Sequence, residues 1–563
     1  MRSTSVEAGD NLPPMSDPEF DYIVVGAGSA GCIVAGRLSA DPSVRVLVLE
    51  AGGAAEENPE TLRADGYKKA FINDRVIWER FSVPQAECSG AQLFMGTGRG
   101  VGGSGSVNAM VYTRGSAIDY AMWKVAGWDW PHVTADFVEL ERELDVHRQP
   151  PTRFTEACIA AAEASGFRRK EDLNDGTLSG FLGYEWMNFA GEERRSSYVA
   201  FLRGGRARPN LTLVTHAVTR RVLFAERRAV GVEYEHEGTV RTARARHEII
   251  LCAGALETPK LLMLSGVGPA AHLGEHGIDV VADRAGVGEN LMDHPNVSIF
   301  FKGKQPTDCT WAQLYGFHRA RASGNLPQEA ADTCYVFYSA KSSFREGVIR
   351  MLPTMILPQS LYRFARVRGA LRGAIKAAFA LAPVKRLVDR MYGIVVILGK
   401  PESRGTVRLR SRDVRDQALL DPRYFAVRAD LDALVAGVKL ARRVAAAPPL
   451  EEWGNRELIP GRRTASDEQL EKFVRKNVMT TYHFAGTCRM GDDEAAIVDG
   501  ELRVRGVRGL RVADASVIPV VPVSAMNAPS MLIGWRAARF IAEERAGRST
   551  VARAVTSSAR SSP

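Results

Sequence analysis

Asp21-Tyr-Ile-Val-Val-Gly26-Ala-Gly28-Ser-Ala-Gly31 decides the fold class of this chain. A short β-branched run leads into three glycines at the spacing G-x-G-x-x-G, and an apolar stretch typical of a helix follows. Gly26 permits a tight turn, Gly28 lets the backbone approach a pyrophosphate, and Gly31 lets the helix pack on the strand. The helix N-terminus offers free N–H groups to the negative charge. The stretch therefore predicts a Rossmann-like unit that binds a dinucleotide.

A second strand is predicted at Val44–Glu50, and it ends in a carboxylate. In this type of unit an acidic residue about 20 positions after the last glycine holds a ribose hydroxyl. Glu50 has that position, and its charge argues against a ribose that carries a 2′-phosphate. A glycine triplet alone would also suit a structural turn. Strand, triplet, helix, strand and acid in this order favour the nucleotide site.

A second glycine-rich segment, from Met95 to Met110, bears on the choice between FAD and NAD, which the triplet leaves open. It contains six glycines, so the main chain can lie directly along a second flat or phosphorylated ligand. A flexible surface loop is the alternative. The segment continues into an apolar run that is expected to be buried, and this favours a ligand site that a long dinucleotide such as FAD would fill.

Five separated parts of the sequence resemble the glucose–methanol–choline (GMC) family of flavoprotein oxidoreductases. They are the triplet at 21–31, the Gly102-Gly103 segment, 254–269, 286–295, and the C-terminal pair 482–491 and 510–533. The resemblance covers most of the chain and implies an α/β fold: a discontinuous Rossmann-like FAD-binding domain (16–110, 195–300 and 490–546) and an α+β substrate domain built on an antiparallel sheet (111–194 and 301–489). Residues 547–563 show no pattern and are expected to form a disordered tail.

The resemblance also implies which residues contact FAD. In chain order they are Gly26, Gly28, Ser29, Ala30, Gly31, Glu50, Ala51, Trp78, Gly102, Gly103, Ser104, Asn108, Ala109, Met110, Val111, Val218, Thr219, Tyr482, Asp514 and Ala515. Among these, 108–111 should run beside the isoalloxazine and ribityl chain, and 218–219 should hold adenine through the backbone. Some family members attach flavin through a histidine in the glycine-rich segment. This chain has none there, so FAD is predicted to bind non-covalently.

Alcohol oxidation removes a proton from oxygen and a hydride from carbon. Neutral imidazole is the usual proton acceptor because its pKa lies near working pH, and the flavin takes the hydride. Among ten histidines, His483 lies in the segment that resembles the family's active site, where the matching histidine is the alcohol base. Its predicted partner is Asn527, whose amide would hydrogen-bond and aim the alcohol oxygen. Each of the other histidines, His294 included, is interpreted as structural or surface.

Composition limits the remaining function classes. The chain has 563 residues, 45% of them hydrophobic and 25% charged, and a formal net charge of +9, which together are typical of a two-domain globular enzyme and do not indicate nucleic-acid binding. The seven scattered cysteines show no metal-ligand spacing, so no metal site is predicted and reduced thiols are expected. The first eighteen residues lack an apolar core, and no apolar run is long enough to cross a membrane.

A basic segment at 359–392 is not explained by the resemblance. Its arginines and lysines flank apolar residues at three- and four-residue steps, namely Phe364, Val367, Leu371, Ile375 and Ala378, which predicts one amphipathic helix. Such a helix is typical of contact with an anionic membrane surface, and a solvated lid over the substrate pocket is the alternative. The predicted location is cytoplasmic, with a peripheral position at the inner membrane surface if the helix docks.

The sequence therefore predicts an FAD-dependent dehydrogenase or oxidase that acts on CH–OH groups and produces an aldehyde or ketone. A non-redox lyase of the same fold and a flavin-bearing membrane-surface binding protein without turnover are the alternatives. The alcohol, the oligomeric state and the electron acceptor, whether oxygen or a quinone, stay open.

Overall fold

The predicted N-terminal strand lies inside a seven-stranded sheet. A computed structural model of the chain describes residues 18–321 and 326–559, and in it Glu19–Val25 pairs in parallel with strands on both sides. The order across the sheet is Leu211–Val214, Val46–Leu49, Glu19–Val25, Thr239–Leu251, Arg228–His236 and Ala217–Ala225, and Leu510–Val512 pairs with the end of Thr239–Leu251. The central parallel strands Val46–Leu49 and Glu19–Val25 are buried apart from Glu19 and rich in Val, Ile and Leu, as strands covered on both faces require.

The helix Ser29–Leu38 follows the glycine turn, as the triplet predicts, and is buried along most of its length. It packs against the C-terminal helix Asn527–Ala559 and against the π-helical turn Tyr198–Leu202. The two ends of the chain therefore meet beside the same turn. This contact places the C-terminal helix start next to the predicted nucleotide site.

A second, eight-stranded sheet is antiparallel apart from one edge pair. Its order is Arg456–Ile459, Pro295–Lys302, Met391–Leu398, Thr333–Ser339, Leu314–His318, Phe181–Tyr184 and Arg168–Arg169, with Met479–Thr480 beside Pro295–Lys302. The antiparallel sheet that the resemblance implies is present. The domain division stays a prediction, and its boundary at 300 falls inside the strand Pro295–Lys302.

The remaining elements connect and cover these sheets. The other helices are Tyr67–Phe71, Ala117–Ala121, Trp130–Leu144, Arg153–Glu163, Thr258–Leu264, Ala270–Glu275, Phe344–Ile356, Gln359–Tyr362, Ala365–Ala380, Ala382–Asp389, Arg428–Ala446, Pro448–Trp453 and Asp467–Asn477. The short strand groups are Ile77–Trp78 with Thr97–Gly98; Val111–Tyr112, Trp186–Met187 and His147–Arg148; Phe189–Ala190 with Glu193–Arg194; Val267–Gly268 with Ala282–Asp283; and Thr406–Arg408 with Leu419–Asp421.

The C-terminal end differs from the expected disordered tail at 547–563. The backbone of the helix that starts at Asn527 continues through Ala559, while 560–563 lie outside the described residues. Alanine and arginine have high helix propensity, and extending an existing helix needs no new nucleus. The sequence pattern did not reveal this, because the extension has no apolar periodicity.

The basic segment is not one helix with one apolar stripe. It forms three helices, Gln359–Tyr362, Ala365–Ala380 and Ala382–Asp389. Of the predicted stripe only Ile375 is buried, while Phe364 and Val367 are exposed. The inward face instead carries Arg368 and Arg372, which pair with Asp74 and Glu79, so charge as well as apolar contact orients the helix. No helix among the described residues has the length and apolar character needed to span a bilayer.

Candidate active site

A cavity of about 1100 Å³ extends from the glycine turn of the first sheet to one face of the second. The turn at Gly26 forms the end of the cavity that lies at the first sheet. Gly26 has φ +98°, and a side chain there would place Cβ 2.5 Å from the Cys252 carbonyl oxygen. At Gly28 the nearest atom to such a Cβ is 3.9 Å away, so this part of the backbone is open to a ligand in the cavity.

Glu50 lies in the wall of the same end of the cavity and is buried. Its carboxylate accepts hydrogen bonds from the N–H groups of Ala27 at 2.9 Å, Gly52 at 2.8 Å and Gly100 at 3.1 Å. A carboxylate has about four acceptor positions, which leaves one for a ribose hydroxyl. Glu50 thus holds three loops in place as well as facing the ligand space.

The second glycine-rich segment abuts the first. Gly103 has φ +53°, and a Cβ there would lie 2.7 Å from the Cα of Gly28. The N–H of Gly102 donates to the Ala27 carbonyl at 2.7 Å. Gly103 therefore requires glycine because the backbone of the first turn fills the space of a side chain there.

His483 lies in the cavity wall beyond the second glycine segment. Its N–H donates to Asp293 Oδ1 at 2.7 Å, and Asp293 also accepts from the hydroxyls of Thr480 and Tyr424. Burial raises the pKa of the Asp293 carboxyl, and these hydrogen bonds oppose that rise. Asp293 therefore anchors the backbone of His483 rather than its ring.

The ring of His483 contacts a second imidazole, that of His294. The two Nδ1 atoms are 2.9 Å apart and the rings are nearly perpendicular, at 89°. Burial lowers the pKa of His483 from 6.5 to about 4. It also lowers the pKa of His294 well below its usual value, with further repulsion from His483 and Lys400. Both rings are therefore neutral near pH 7, with one Nδ1–H donating to the other ring, and within the described residues His483 Nε2 has no hydrogen-bond partner.

Asn527 is the first residue of the C-terminal helix and also lines the cavity. Its Oδ1 accepts a hydrogen bond from Ser29 Oγ at 2.8 Å. Its Nδ2 is buried and has no partner in the part of the chain that the structure describes. A buried amide donor without a partner is costly, so a ligand oxygen is its natural acceptor.

The far end of the cavity is one face of the second sheet. Alternate residues of four adjacent strands line it, and we call these nine residues the sheet wall: Asn296, Ser298, Phe300, Tyr315, Cys334, Val336, Tyr338, Val395 and Ile397. The strand register aligns them in rows, for example Ser298, Val395, Val336 and Tyr315. The wall begins two residues after His294, so it adjoins the imidazole pair.

Two stretches of the chain, 20–296 and 401–534, match the family description GMC oxidoreductase. The chain belongs to the GMC oxidoreductase family. Choline oxidase of Arthrobacter globiformis is 36% identical over 98% of this chain and 99% of its own length. Alcohol dehydrogenase [acceptor] of Pseudomonas putida is 34% identical over 93% and 95%. Pyridoxine 4-oxidase from "Mesorbium loti" has a similar structure, with a TM-score of 0.78, 26% identity and coverage of 92% and 98%.

This GMC oxidoreductase uses FAD as its cofactor and is an enzyme acting on CH–OH donors. The cavity fits FAD in three respects. The backbone at Gly28 is open to a pyrophosphate, the N-terminus of Ser29–Leu38 has no side-chain cap, and the buried Thr219 hydroxyl has no partner among the described residues. Non-covalent attachment stays a prediction.

Most of the predicted site residues come together around this one cavity. All of them line it except Gly31, Gly102 and Met110. Gly31 packs the helix against the turn, since a Cβ there would be 2.0 Å from the Gly26 carbonyl oxygen. Met110 has φ +63°, and its side chain packs away from the cavity in a cluster with Tyr67 and other buried residues. The resemblance alone does not distinguish residues that line the cavity from residues that support its wall at these positions.

Sequence reasoning missed two residues that support the site. From the sequence, His294 is interpreted as a structural or surface residue, although it lies in an Asp-His-Pro segment. Arg194, fully buried, donates to Asn108 Oδ1 at 2.6 Å and to the Asn108 carbonyl at 2.7 Å. Burial lowers the pKa of Arg194 to about 9. No local pattern marks an arginine buried 86 residues away in sequence from its partner.

A surface group of metal-ligating residue types lies elsewhere. His272, Glu275 and His276 have ligand atoms within 4.8 Å of one another. The two nitrogens of His272 are already engaged, Nε2 by the N–H of Leu409 at 3.0 Å and Nδ1 by Glu275 at 3.1 Å. The group therefore forms a hydrogen-bonded surface cluster.

Proposed function

We propose that this GMC oxidoreductase oxidises an alcohol to an aldehyde or ketone with His483 as the general base. The observation that carries the proposal is the neutral His483 ring in the cavity wall, with Nδ1 held by His294 and Nε2 without a hydrogen-bond partner among the described residues. Bound FAD supplies the acceptor for the hydride that leaves the carbinol carbon. His483 Nε2 accepts the hydroxyl proton, so both electrons and both hydrogens are assigned.

Asn527 is the proposed second contact with the alcohol. Its Nδ2–H donates to the alcohol oxygen, while Ser29 holds Oδ1 and so fixes the orientation of the amide. An amide does not take a proton at neutral pH, which leaves proton transfer to His483. Orientation of this kind lowers the entropic part of the barrier.

Anaerobic flavin reduction tests the base assignment. A panel of alcohols from choline to long-chain and aromatic alcohols is mixed with the holoenzyme, and loss of flavin absorbance is followed by stopped flow. We expect His483→Ala to slow reduction by about 10²–10⁴-fold with unchanged FAD content. The matched control is His132→Ala, whose side chain is 60% exposed. A flavin that no alcohol reduces contradicts alcohol oxidation, and a fast His483→Ala enzyme contradicts the base assignment.

The anaerobic reduction experiment also distinguishes the two alternative functions from alcohol oxidation. A lyase or a binding protein would hold FAD that alcohols do not reduce. The relatives are named as oxidases and dehydrogenases, which supports turnover with electron transfer. Further relatives are named oxygen-dependent choline dehydrogenases, so oxygen is the first acceptor to test, and a quinone is the second. When air is admitted to the reduced enzyme, the rate at which flavin absorbance returns measures its reaction with oxygen. Rapid return supports oxygen as the acceptor, and slow return supports another acceptor.

We further propose that the basic segment contacts an anionic membrane surface. Seven of the eleven exposed large hydrophobic residues of the described chain lie between 355 and 387. Beside them, six exposed basic residues make no ion pair with any described residue: Arg363, Arg366, Lys376, Lys385, Arg386 and Arg390. Apolar residues next to uncompensated positive charge favour contact with anionic lipid.

The membrane proposal needs variants that leave the inward-facing arginines intact. Arg368 and Arg372 pair with Asp74 and Glu79 and are therefore structural. Changing the six unpaired residues to Gln should reduce retention on anionic vesicles, measured by flotation. A control changes six exposed basic residues elsewhere, namely Lys124, Arg227, Arg412, Arg462, Arg463 and Lys476. Equal retention of both variants contradicts membrane contact, and slowed flavin reduction without vesicles supports the lid.

A further inference from the structure

The sheet wall has no charged side chain. All nine of its residues are apolar, aromatic or neutral polar, and the polar pair Asn296 and Ser298 lies on the strand next to His294. Asn296 is itself engaged, because its Nδ2 donates to Thr481 Oγ1 at 2.9 Å. A substrate that lies on this wall therefore meets mainly hydrocarbon and aromatic surface.

Five carboxylates line other parts of the cavity, and each already has partners. They are Glu50 with three backbone N–H groups, Glu79 with Tyr362 and Arg368, Glu257 with Arg80 and Lys260, Glu346 with Arg345, and Asp514 with Gly254, Thr258 and Ser516. Arg or Lys side chains neutralise Glu79, Glu257 and Glu346. Glu50 and Asp514 are both among the predicted FAD contacts. Beyond the predicted FAD contacts, the described cavity wall thus offers no unpaired carboxylate to a cationic substrate.

Aromatic rings could replace a carboxylate as partners of a quaternary ammonium group. Phe300 is the centre of the aromatic group at this wall. It packs edge-on with Tyr338, at a centroid distance of 6.1 Å, and with Phe344, at 5.0 Å. Gly393 lies beneath the first pair, since a Cβ there would be 2.7 Å from the Tyr338 ring. The rings therefore contact one another rather than surround an open cage.

We infer that the substrate is a neutral alcohol with an apolar body, and not a quaternary ammonium alcohol such as choline. The inference rests on the proposed function and specifies its substrate class. A cation that leaves water needs an anion or an open aromatic cage, and this wall provides neither. An apolar chain or ring gains from burial on the same surface.

The test compares two molecules of nearly equal shape. Choline and its uncharged isostere 3,3-dimethylbutan-1-ol are each mixed anaerobically with the holoenzyme, together with 1-octanol and benzyl alcohol, and flavin reduction is followed. We expect the neutral isostere to exceed choline at least tenfold in kcat/KM. Choline equal to or better than the isostere overturns the inference while leaving alcohol oxidation intact. Reduction by none of the four overturns both proposals.

A pair of variants tests whether the wall sets this preference. Val336 lies in the middle row of the wall. Val336→Asp introduces a carboxylate there, and Val336→Asn is an isosteric control without charge. We expect the ratio of choline to isostere activity to rise at least tenfold in Val336→Asp relative to Val336→Asn, with FAD content as the folding check. An unchanged ratio in correctly loaded enzyme contradicts contact between the wall and the substrate. If neither variant retains FAD, Val395→Asp and Val395→Asn provide the same comparison in the same row.

Discussion

At the residue scale, the contact between His294 and His483 leaves one nitrogen of His483, Nε2, to accept the proton of the alcohol. His294 occupies Nδ1 of His483, so proton transfer is restricted to Nε2 on the cavity side. The backbone of His483 is held separately by Asp293. Because ring and backbone have different supports, each can be changed without removing the other.

His294 is expected to act as a positioning residue. His294→Ala should lower the rate of flavin reduction by roughly two- to tenfold, which corresponds to the loss of one hydrogen bond. His294→Asn keeps a hydrogen-bonding atom near the Nδ1 position and should restore most of the rate. Stopped-flow reduction at several pH values measures both effects. Equal rates for wild type and His294→Ala would show that the ring of His483 is held without this contact.

The pH dependence of flavin reduction follows from the burial of His483. The base must be neutral to accept a proton, and burial lowers the pKa of His483 from 6.5 to about 4. Lowering the pKa moves the acid limb of kcat/KM to lower pH, so we expect constant activity down to below the ordinary histidine range. Steady-state rates with one alcohol measure this, and flavin fluorescence checks that FAD stays bound. An acid limb near 6.5 would contradict a neutral, desolvated base.

At the element scale, the two glycine turns are fixed by contact between backbones. Gly103→Ala should abolish FAD binding, because its Cβ would approach Gly28 Cα to 2.7 Å at a φ of +53°. The matched control is Gly204→Ala, where no described residue other than the two chain neighbours lies within 4 Å of the added Cβ. The ratio of flavin to protein absorbance in the purified variants is the measurement. Full FAD content in Gly103→Ala would show that the turns can separate.

The sequence predicts those elements that are determined by residues close together in the chain. The strand, the triplet, the helix and Glu50 lie within 35 residues, and each needs a residue type that only a few amino acids supply. The contact of His294 with His483 joins positions 189 apart, and the sheet wall depends on the register of four strands. Contacts between residues so far apart in sequence leave no pattern in either stretch. The imidazole pair and the sheet wall therefore could not be predicted from the sequence.

At the scale of the whole molecule, the site depends on the meeting of the two chain ends. Ser29 and Asn527 are separated by 498 positions and share a hydrogen bond of 2.8 Å. The buried pair of Asp119 and Lys400 provides a second long-range connection, between the Ala117–Ala121 helix and the loop after Met391–Leu398. The cavity is therefore formed only when both sheets and the C-terminal helix are assembled, and FAD content is a suitable measure of folding for every variant.

One buried group is predicted to destabilise the assembled protein. Glu185 is fully buried, and its two carboxylate oxygens have no hydrogen-bond partner in the described part of the chain. Desolvation, with a smaller contribution from Asp172, raises its pKa well above 4.5. Below pH 4.5 both folded and unfolded states are protonated, so ionisation of the group does not lower the stability. As pH rises, only the unfolded state ionises, and stability falls by roughly 1.4 kcal/mol for each pKa unit of the shift.

Glu185→Gln removes this titration, so its melting temperature should exceed that of wild type by an amount that grows between pH 5 and pH 8. Thermal unfolding of the FAD-loaded proteins across that range is the measurement. Glu163→Gln, an exposed change on the helix Arg153–Glu163, should show no such growth. A Glu185→Gln protein that melts below wild type at pH 8 would mean that the carboxylate is ionised and partnered. In that case its charge, and not its neutral form, stabilises the region beside Tyr315 of the sheet wall.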